Sequence, residues 1–467
     1  MNRILHFFSM DFILPVKKRK GEIPTTKEAY KTYLSIAWPA AMQGLLIDLM
    51  MAIDLAMVGS LGAAAMASVG IISQPKMVLL ILCRALSVPV TAIVARRKGE
   101  ERFLEMNGVL KQSILLNVLI YIPILLITYL YLSQVLLFAG AKTEILDSSL
   151  AYGKFIVIGL FFASFTQVVG AALIGIGDTK RVFIANVAGN VVNTLLNVVL
   201  IYGIAFLPKM GVRGAGIATM AGNIVTAGLI LWTILQKNRD LTLQSKASWS
   251  LKKETMLSIV KMGGSSLGEQ SFERFGMFAY TKMVASLGII PLATHQVCMN
   301  LCDIFYSFAM GLGYAGASHT GQNLGKNRAD LASAYGKIGM RVGFLLSIIA
   351  CLVYIGLRYP LIGIYTRDQE VLSLGAGIII LMGISSFPQT IQLVCSGVLK
   401  GAGDNLYVML YSLFDIAIFR PIFTYFLCFT CNLGLYGAWI ALLCDQSLRM
   451  IFSWLRFHSQ KWKSVKV

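Results

Sequence analysis

The chain has 467 residues, of which 57% are hydrophobic and only 13% are charged, and its formal net charge at pH 7 is +19. A soluble protein carries about 25% charged residues, so this composition excludes a soluble globular protein and indicates many membrane-spanning segments. Most of the 41 Lys and Arg residues fall in alternate loops between apolar segments. That is the positive-inside pattern of a membrane protein, and it argues against a nucleic-acid-binding surface.

Apolar segments follow one another along the whole chain, and each is long enough to cross about 30 Å of hydrocarbon as a helix. We predict twelve spans, at about 33–58, 65–92, 112–138, 152–175, 182–206, 212–236, 256–287, 291–320, 338–358, 371–399, 405–428 and 434–457. The loop charges place both termini in the cytoplasm. No segment alternates apolar and polar residues as a membrane β-barrel requires, so the predicted fold is an all-α polytopic membrane protein.

The sequence also repeats itself with an offset of 226 residues. MVGSLG at 57–62 returns as MVASLG at 283–288, and LIGIGD at 173–178 returns as LKGAGD at 399–404. Each half holds six predicted spans, so the halves are parallel repeats, an arrangement that favours a transporter with its sites near the middle of the membrane. We predict a cytoplasmic N-terminal segment at 1–30, an N-lobe at 31–236, a cytoplasmic linker at 237–255, a C-lobe at 256–458 and a cytoplasmic tail at 459–467.

Five short motifs follow one another along the chain. They are D-x-x-x-V-G-x-L-G from Asp54, G-x-G-D-T from Gly175, N-x-x-x-N-x-x-L-I-Y-G from Asn193, G-V-x-G-A-G-x-A-T from Gly211 and A-T-H-Q-V from Ala293. In order, spacing and duplication they resemble the MATE (multidrug and toxic compound extrusion) family of the multidrug/oligosaccharidyl-lipid/polysaccharide exporter superfamily. The resemblance runs from about residue 31 to 457. It implies two six-helix lobes in a V and an antiporter that exports substrate in exchange for Na⁺ or H⁺.

Two carboxylates, Asp48 and Asp54, interrupt the first predicted span. A carboxylate at the middle of a membrane helix costs about 2.5–3.5 kcal/mol on insertion scales, so each is a functional candidate. Burial favours the neutral form, which suits a proton carrier, whereas surrounding oxygen ligands would suit a hard cation such as Na⁺. Asp48 lies about 120° from Asp54 around a helix, so we expect it either to face the substrate cavity or to bind a nearby polar group.

The resemblance implies that Asp54 is the cation-coupling acid and that Asn193, Asn197 and Thr219 are its companions. Asn193 and Asn197 are four residues apart, so they share a helix face. Some family members have an acid at the position of Asn197, and this chain therefore has one formal charge fewer. The sequence leaves the ion open between H⁺ and Na⁺. It also leaves open a purely structural Asp54 that is hydrogen-bonded to the two amides.

The second half carries Glu269 and Glu273 on one helix face. The resemblance implies that Glu273 matches the helix-7 acid of sodium-coupled members. Those members also have an aspartate where this chain has Gln389, so a two-acid sodium site is not intact here. We expect Glu273 either to bind substrate or a second cation alone, with Gln389 close by, or to pair with Arg274, Lys282 or another basic group.

Asp303, Asp415 and Arg420 also fall within the second-half spans. Asp303 is a candidate for the substrate cavity. Asp415 and Arg420 lie five residues apart on one span, and we predict that they form a structural ion pair with each other.

These patterns predict a secondary active antiporter that exports organic, amphipathic and cationic drugs or metabolites in exchange for H⁺ or Na⁺. The alternative is a lipid-linked precursor flippase of the same superfamily, which would need a cavity rich in arginine to bind pyrophosphate. No HExxH motif or clustered His/Cys site is present, so we expect no enzyme activity. We expect no cofactor, no metal except possible Na⁺ at Asp54, no nucleic acid, and a monomer in a bacterial inner (plasma) membrane.

Overall fold

A computed structural model describes residues 6–203, 208–237 and 239–465, and within these ranges it contains helices and no β-strand. Twelve long helices follow one another in chain order. They are α1 (Thr26–Gly59), α2 (Ala63–Gly99), α3 (Phe103–Leu130), α4 (Thr143–Gly175), α5 (Thr179–Tyr202), α6 (Gly211–Leu235), α7 (Lys253–Ser286), α8 (Ile289–Gly325), α9 (Ala329–Gly356), α10 (Gln369–Ala402), α11 (Asn405–Thr430) and α12 (Gly434–His458). The predicted all-helical fold is confirmed.

The two halves of the chain repeat the same series of helices. The first and seventh helices have 34 residues each, the second and eighth 37 each, and the third and ninth 28 each. Each third helix is followed by a short one, Leu132–Phe138 or Arg358–Gly363. Gly62 (φ +103°) and Gly288 (φ +118°) precede the second helix of each half, in a conformation that glycine adopts most readily. The predicted internal repeat is therefore confirmed.

Nine of the long helices in the described ranges are long and apolar enough to cross a membrane: α1 to α6, α9, α10 and α11. The other three, α7, α8 and α12, have 34, 37 and 25 residues, so length alone suffices for them. They are more polar because they carry many of the buried polar groups of the second half, including His295 on α8 and Asp445 and Arg449 on α12.

The chain forms two compact units, one containing Gln43–Gly263 and the other containing the segment up to Met42 together with the chain from Gly264 onwards. The first part of α1 therefore packs with α8. Tyr33 donates a hydrogen bond of 2.6 Å to the carbonyl of Leu312. A Cβ placed on Gly311 would lie 2.6 Å from the carbonyl oxygen of Ala37, so only glycine allows this approach.

The helix α11 is not α-helical throughout. Two π-helical segments, Leu413–Phe419 and Phe426–Thr430, lie on either side of the α-helical segment Arg420–Tyr425. Pro421 has no backbone N–H and cannot continue an α-helical hydrogen-bond ladder through the preceding turn. The chain instead forms a wider turn, in which the N–H of Arg420 donates to the carbonyl of Asp415.

Candidate functional site

The candidate site of the Gln43–Gly263 unit is built on the contact between α5 and α6. A Cβ on Gly222 would lie 2.7 Å from the carbonyl oxygen of Gly189, and 2.9 Å from Cβ of Asn193. A Cβ on Gly189 would lie 2.6 Å from the carbonyl oxygen of Gly222. The two glycines therefore let the helix backbones touch. Asn193 on α5 and Thr219 on α6 lie one helical turn from this contact, and their side chains face each other.

Asp54, on α1, completes this cluster. Its Oδ1 accepts a hydrogen bond of 2.7 Å from Nδ2 of Asn197. With the amide of Asn193 oriented so that both its ends are satisfied, its nitrogen donates to Asp54 Oδ1 at 3.0 Å and its oxygen accepts from the N–H of Thr219 at 3.1 Å. The structure thus brings together all four residues that were predicted as a cation-coupling group: Asp54, Asn193, Asn197 and Thr219.

Two more residues approach the same cluster, and sequence reasoning did not assign either to it. Lys76 on α2 is half-buried and interacts electrostatically with Asp54. The hydroxyl of Tyr152 on α4 faces the side chain of Thr219. Gly216 on α6 lets the backbone of Tyr152 approach, because a Cβ on Gly216 would lie 2.9 Å from the Tyr152 carbonyl oxygen. Lys76 could have been selected from the sequence as a site candidate, because it is a charged residue inside an apolar span. The sequence held no comparable signal for Tyr152.

The chemistry of this cluster is that of a single carboxylate surrounded by N–H donors. Asp54 is half-buried, whereas Asn193 and Asn197 are buried. The Oδ1 atom of Asn197 is a buried acceptor to which no described residue donates. A proton on Asp54 would turn one of its oxygens into a donor, and this free amide oxygen offers an acceptor within the same cluster. Among the described residues no group of three or more His, Cys, Asp or Glu side chains is placed to hold a metal ion.

The candidates of the second half lie in the other unit. Glu273 on α7 is half-buried and interacts electrostatically with Lys400 and Arg449. Gln389 on α10 is buried, and its side chain faces the thiol of Cys302. The neighbour of that cysteine, Asp303, is exposed on α8.

A family model described as MatE matches residues 39–199 and matches again at residues 266–426. The chain belongs to the MatE family. The duplicated match coincides with the two helical repeats, and it confirms the resemblance drawn from the motifs. This MatE-family chain is therefore a multi-pass membrane protein of a family of transporters.

Relatives and solved structures match most of this MatE-family chain. The "Probable multidrug resistance protein NorM" of Thermotoga maritima is 26% identical over 453 residues, which cover 96% of each chain. The "Multidrug resistance protein MdtK" of Photorhabdus laumondii subsp. laumondii is 24% identical over 382 residues, which cover 81% of this chain and 83% of the relative. A structure described as the outward-facing conformation of a multidrug resistance MATE family transporter of the MOP superfamily gives a TM-score of 0.86 at 20% identity. It covers 93% of this chain and 97% of that one.

The structure shows basic groups near Glu273 in this MatE-family chain. Glu273 was expected either to bind substrate or a cation alone or to pair with a basic group such as Arg274 or Lys282, and it interacts electrostatically with Lys400 on α10 and Arg449 on α12. The two basic residues named from the sequence lie on the same helix as Glu273. A charged side chain on a packed helix faces the neighbouring helices, and the sequence does not say which ones these are.

The predicted ion pair of Asp415 with Arg420 is wrong. The guanidinium of Arg420 instead lies 2.5 Å from the carboxylate of Asp445 on α12. Asp445 also binds Arg449, at 3.1 Å. Sequence reasoning did not single out Asp445, although its position inside the last apolar span was the same kind of signal that drew attention to Asp54.

Asp48 is half-buried on α1, six residues before Asp54. The role of Asp48, to attract substrate or to bind a nearby polar group, stays a prediction. The roles given to Asp303, in the substrate cavity, and to Gln389, beside Glu273, stay predictions as well.

Proposed function

We propose that the protein is a secondary active antiporter that exports amphipathic organic cations in exchange for H⁺, with Asp54 as the residue that carries the proton. The observation that carries this proposal is the cluster in which Asp54 accepts hydrogen bonds from Asn197 and Asn193. Membership of the MatE family supports transport, and the names of the NorM and MdtK relatives support drugs as the exported class.

The groups around Asp54 favour a proton over Na⁺ as the coupling ion. Sodium is a hard cation and prefers a shell of oxygen ligands. Here the atoms aimed at Asp54 Oδ1 are the amide nitrogens of Asn197 and Asn193, and the ammonium of Lys76 is the nearby charge. A sodium ion would require both amides to turn over and would face a resident cation. A proton requires only that Asp54 become a donor.

Protonation of Asp54 changes what holds α1 against its neighbours. The deprotonated carboxylate is a strong acceptor for Asn193 and Asn197 and a counter-ion for Lys76, and charge-assisted hydrogen bonds are about twice as strong as neutral ones. A proton weakens all three interactions at once. Farther along, Ser60 Oγ and the Tyr202 hydroxyl, 2.9 Å apart, hold the end of α1 to α5. We infer that the proton changes the packing of α1 around Asp54 more than at this end.

Coupling then follows from different preferences of the two bound species. If the proton favours the state with weakened α1 contacts and the substrate favours the other, binding of one expels the other. Acidic side chains in apolar surroundings attract organic cations, which is why we propose this substrate class. We further propose a bacterial plasma membrane, both termini in the cytoplasm, a monomer, no cofactor beyond the coupling ion and no enzyme activity.

The test is transport of ethidium by the purified protein in proteoliposomes, with a pH gradient or a Na⁺ gradient imposed separately. We expect the pH gradient to drive wild-type transport and Asp54→Asn to lower the rate at least tenfold. The matched control is Asp147→Asn, which removes an exposed carboxylate at the start of α4 and should transport normally.

The other outcomes separate the alternatives. Transport driven by Na⁺ alone would make the coupling ion sodium and would contradict the role given to the amide donors. Normal transport by Asp54→Asn would remove Asp54 from the mechanism. Absence of ethidium transport under both gradients would count against a cation exporter and would favour a lipid-linked precursor flippase.

A further inference from the structure

A second set of charged side chains lies inside the unit that contains α7 to α12. Nζ of Lys400 on α10 is 2.8 Å from Oε1 of Glu269 on α7. The same ammonium interacts with Glu273, one turn farther along α7, and Glu273 interacts in turn with Arg449 on α12. Opposite charges therefore alternate from α10 to α12 through α7.

The network continues from α12 to α11. Asp445 on α12 binds Arg449 at 3.1 Å and Arg420 of α11 at 2.5 Å. Asp445 has no exposed surface, and Arg420 is 2% exposed. The guanidinium of Arg420 also lies over the ring of Tyr280 on α7, 5.9 Å from its centroid. Asp445 is thus a buried carboxylate with two basic partners.

Asp415 on α11 belongs to the same network but has a different environment. It is fully buried, and neither of its carboxylate oxygens has a hydrogen-bond donor among the described residues. The charged groups that face it are Asp445 and Arg449 from α12 and Arg420 from its own helix, and both arginines already bind Asp445. A buried ionised carboxylate without hydrogen bonds is among the most unfavourable groups in a protein interior.

The charges of the network balance if one of its acids is neutral, and Asp415 is the acid whose two oxygens both lack a donor among the described residues. Its bases are Lys400, Arg420 and Arg449, and its acids are Glu269, Glu273, Asp445 and Asp415. Three positive charges match three negative ones, and Asp415 is the acid left over. Its position beside a second carboxylate, Asp445, adds repulsion between like charges if both are ionised.

Asp445, which interacts electrostatically with Asp415, has one oxygen without a donor among the described residues. Oδ1 of Asp445 is a buried acceptor to which no described residue donates, although its Oδ2 binds both arginines. A proton on Asp415 turns one acceptor oxygen into an O–H donor. The carboxylate pair then resembles two acids that share one proton, the arrangement in which like charges cannot both ionise.

The backbone at Asp415 is the irregular part of α11. Asp415 lies in the π-helical segment Leu413–Phe419, and such segments are rare and often mark functional sites. Helix α7 packs directly on this segment, because a Cβ on Gly276 would overlap the carbonyl oxygen of Ile416. A change of charge at Asp415 therefore acts on a wide helical turn that is held between α7 and α12.

We propose that Asp415 binds a proton inside the second unit and shares the site with Asp445, as a proton site additional to Asp54. The proposal goes beyond the function assigned to Asp54 and does not depend on it. If both hold, the protein carries titratable sites in both repeats. The proton sits on a carboxyl oxygen of Asp415 and leaves when the π-helical segment exposes that side chain to water.

The test measures protonation of the purified protein and needs neither substrate nor transport. The carboxylic-acid C=O stretching band is recorded by infrared spectroscopy at pH 7, in H₂O and in D₂O, for wild type and Asp415→Asn. We expect wild type to show a deuterium-sensitive acid band and Asp415→Asn to lose the equivalent of one carboxyl group. The control is Asp404→Asn, which removes a buried carboxylate that Arg456 binds at 2.7 Å and which should leave the band unchanged.

Thermal stability gives the second readout on the same variants. Asparagine has the shape and neutral charge of a protonated aspartate, so the Tm of Asp415→Asn should lie within about 3 °C of wild type. An unchanged acid band in Asp415→Asn would overturn the proposal. So would a large fall in Tm or failure to fold, because either would show that Arg420 and Arg449 need the negative charge of Asp415. Asp54→Asn in the same assay should retain the Asp415 band, so failure of one proposal is distinguishable from failure of the other.

Discussion

Asp54 and Asp415 are both carboxylates within apolar helices, and their surroundings separate their roles. Asp54 is half-buried and accepts hydrogen bonds from two amides, with Lys76 near by. The two amides and Lys76 offset part of the cost of burying its negative charge, so the site can hold the carboxylate and can also receive a proton. Asp415 is fully buried beside Asp445, without a donor among the described residues, which favours its neutral form. The two carboxylates therefore differ in how many neighbouring groups stabilise a negative charge.

Asp445 is the residue whose loss should damage the second unit most. Asp445→Asn removes the carboxylate that both Arg420 and Arg449 bind, and of the ionised acids in the network it leaves only Glu273 near Arg449. Removal of one partner from a buried ion pair costs about 3–5 kcal/mol. We therefore expect the free energy of unfolding to fall by about that amount, measured by chemical denaturation in detergent.

The control for this loss of stability is Asp415→Asn, because Asp415 faces the same two arginines as Asp445. If Asp445 anchors both arginines and Asp415 is neutral, the Asp445 variant must be much less stable than the Asp415 variant. Equal losses in the two variants would show that both carboxylates are ionised partners of Arg420 and Arg449.

At the scale of helices, the contact between α5 and α6 controls the geometry of the Asp54 cluster. Gly222→Ala places a methyl group 2.7 Å from the carbonyl oxygen of Gly189 and 2.9 Å from Asn193 Cβ, so the helices must move apart. Overpacking of this kind costs about 1–3 kcal/mol. We expect that loss of stability by thermal unfolding, together with slower ethidium transport, because Asn193 no longer reaches both Asp54 and Thr219.

A matched control lies on the same helix. A Cβ placed on Gly228 of α6 would have no described atom within 4 Å, so Gly228→Ala meets no obstacle. Alanine is the better helix former by about 1 kcal/mol, so this variant should be as stable as wild type or slightly more so. A loss of stability in Gly228→Ala equal to that in Gly222→Ala would mean that the close contact with Gly189 is not the cause.

The helices themselves were predictable because their signal is local. Apolar runs predicted twelve helices near their observed positions, but several helices extend beyond the apolar runs. For example, α2 continues to Gly99 through Arg96, Arg97 and Lys98, where basic side chains interact favourably with the helix C-terminus. Hydrophobicity reports where a helix meets lipid, and it does not report where the helix ends.

The sites were predictable only in part, because only some of their residues are marked by local sequence motifs. Asp54, Asn193, Asn197 and Thr219 belong to motifs whose order resembles a known family, so their grouping was available from the sequence. Tyr152 and the partners of Arg420 and Glu273 come from packing between helices far apart along the chain. No local spacing encodes which faces of two distant helices meet, and those contacts became visible only in the structure.

At the scale of the whole molecule, the loop charges predict which ends of the helices face the cytoplasm. Cys431, between α11 and α12, is the one exposed cysteine among the eight in the chain, all of which lie in the described ranges. The charge pattern predicts that this connection lies outside the cell. We expect a membrane-impermeant maleimide to label Cys431 in intact cells, and Cys431→Ser to abolish that labelling.

The connection between the two repeats should face the opposite side. Ser248 is exposed in this connection, so Ser248→Cys in the Cys431→Ser background places a single accessible thiol there. We expect labelling of this variant only after the cells are opened, because the basic residues around the connection predict a cytoplasmic position. Labelling of Ser248→Cys in intact cells would show that the topology is the opposite of the predicted one. The same cycle at Asp54 would then import substrate and not export it, so the inferred direction of transport depends on this result.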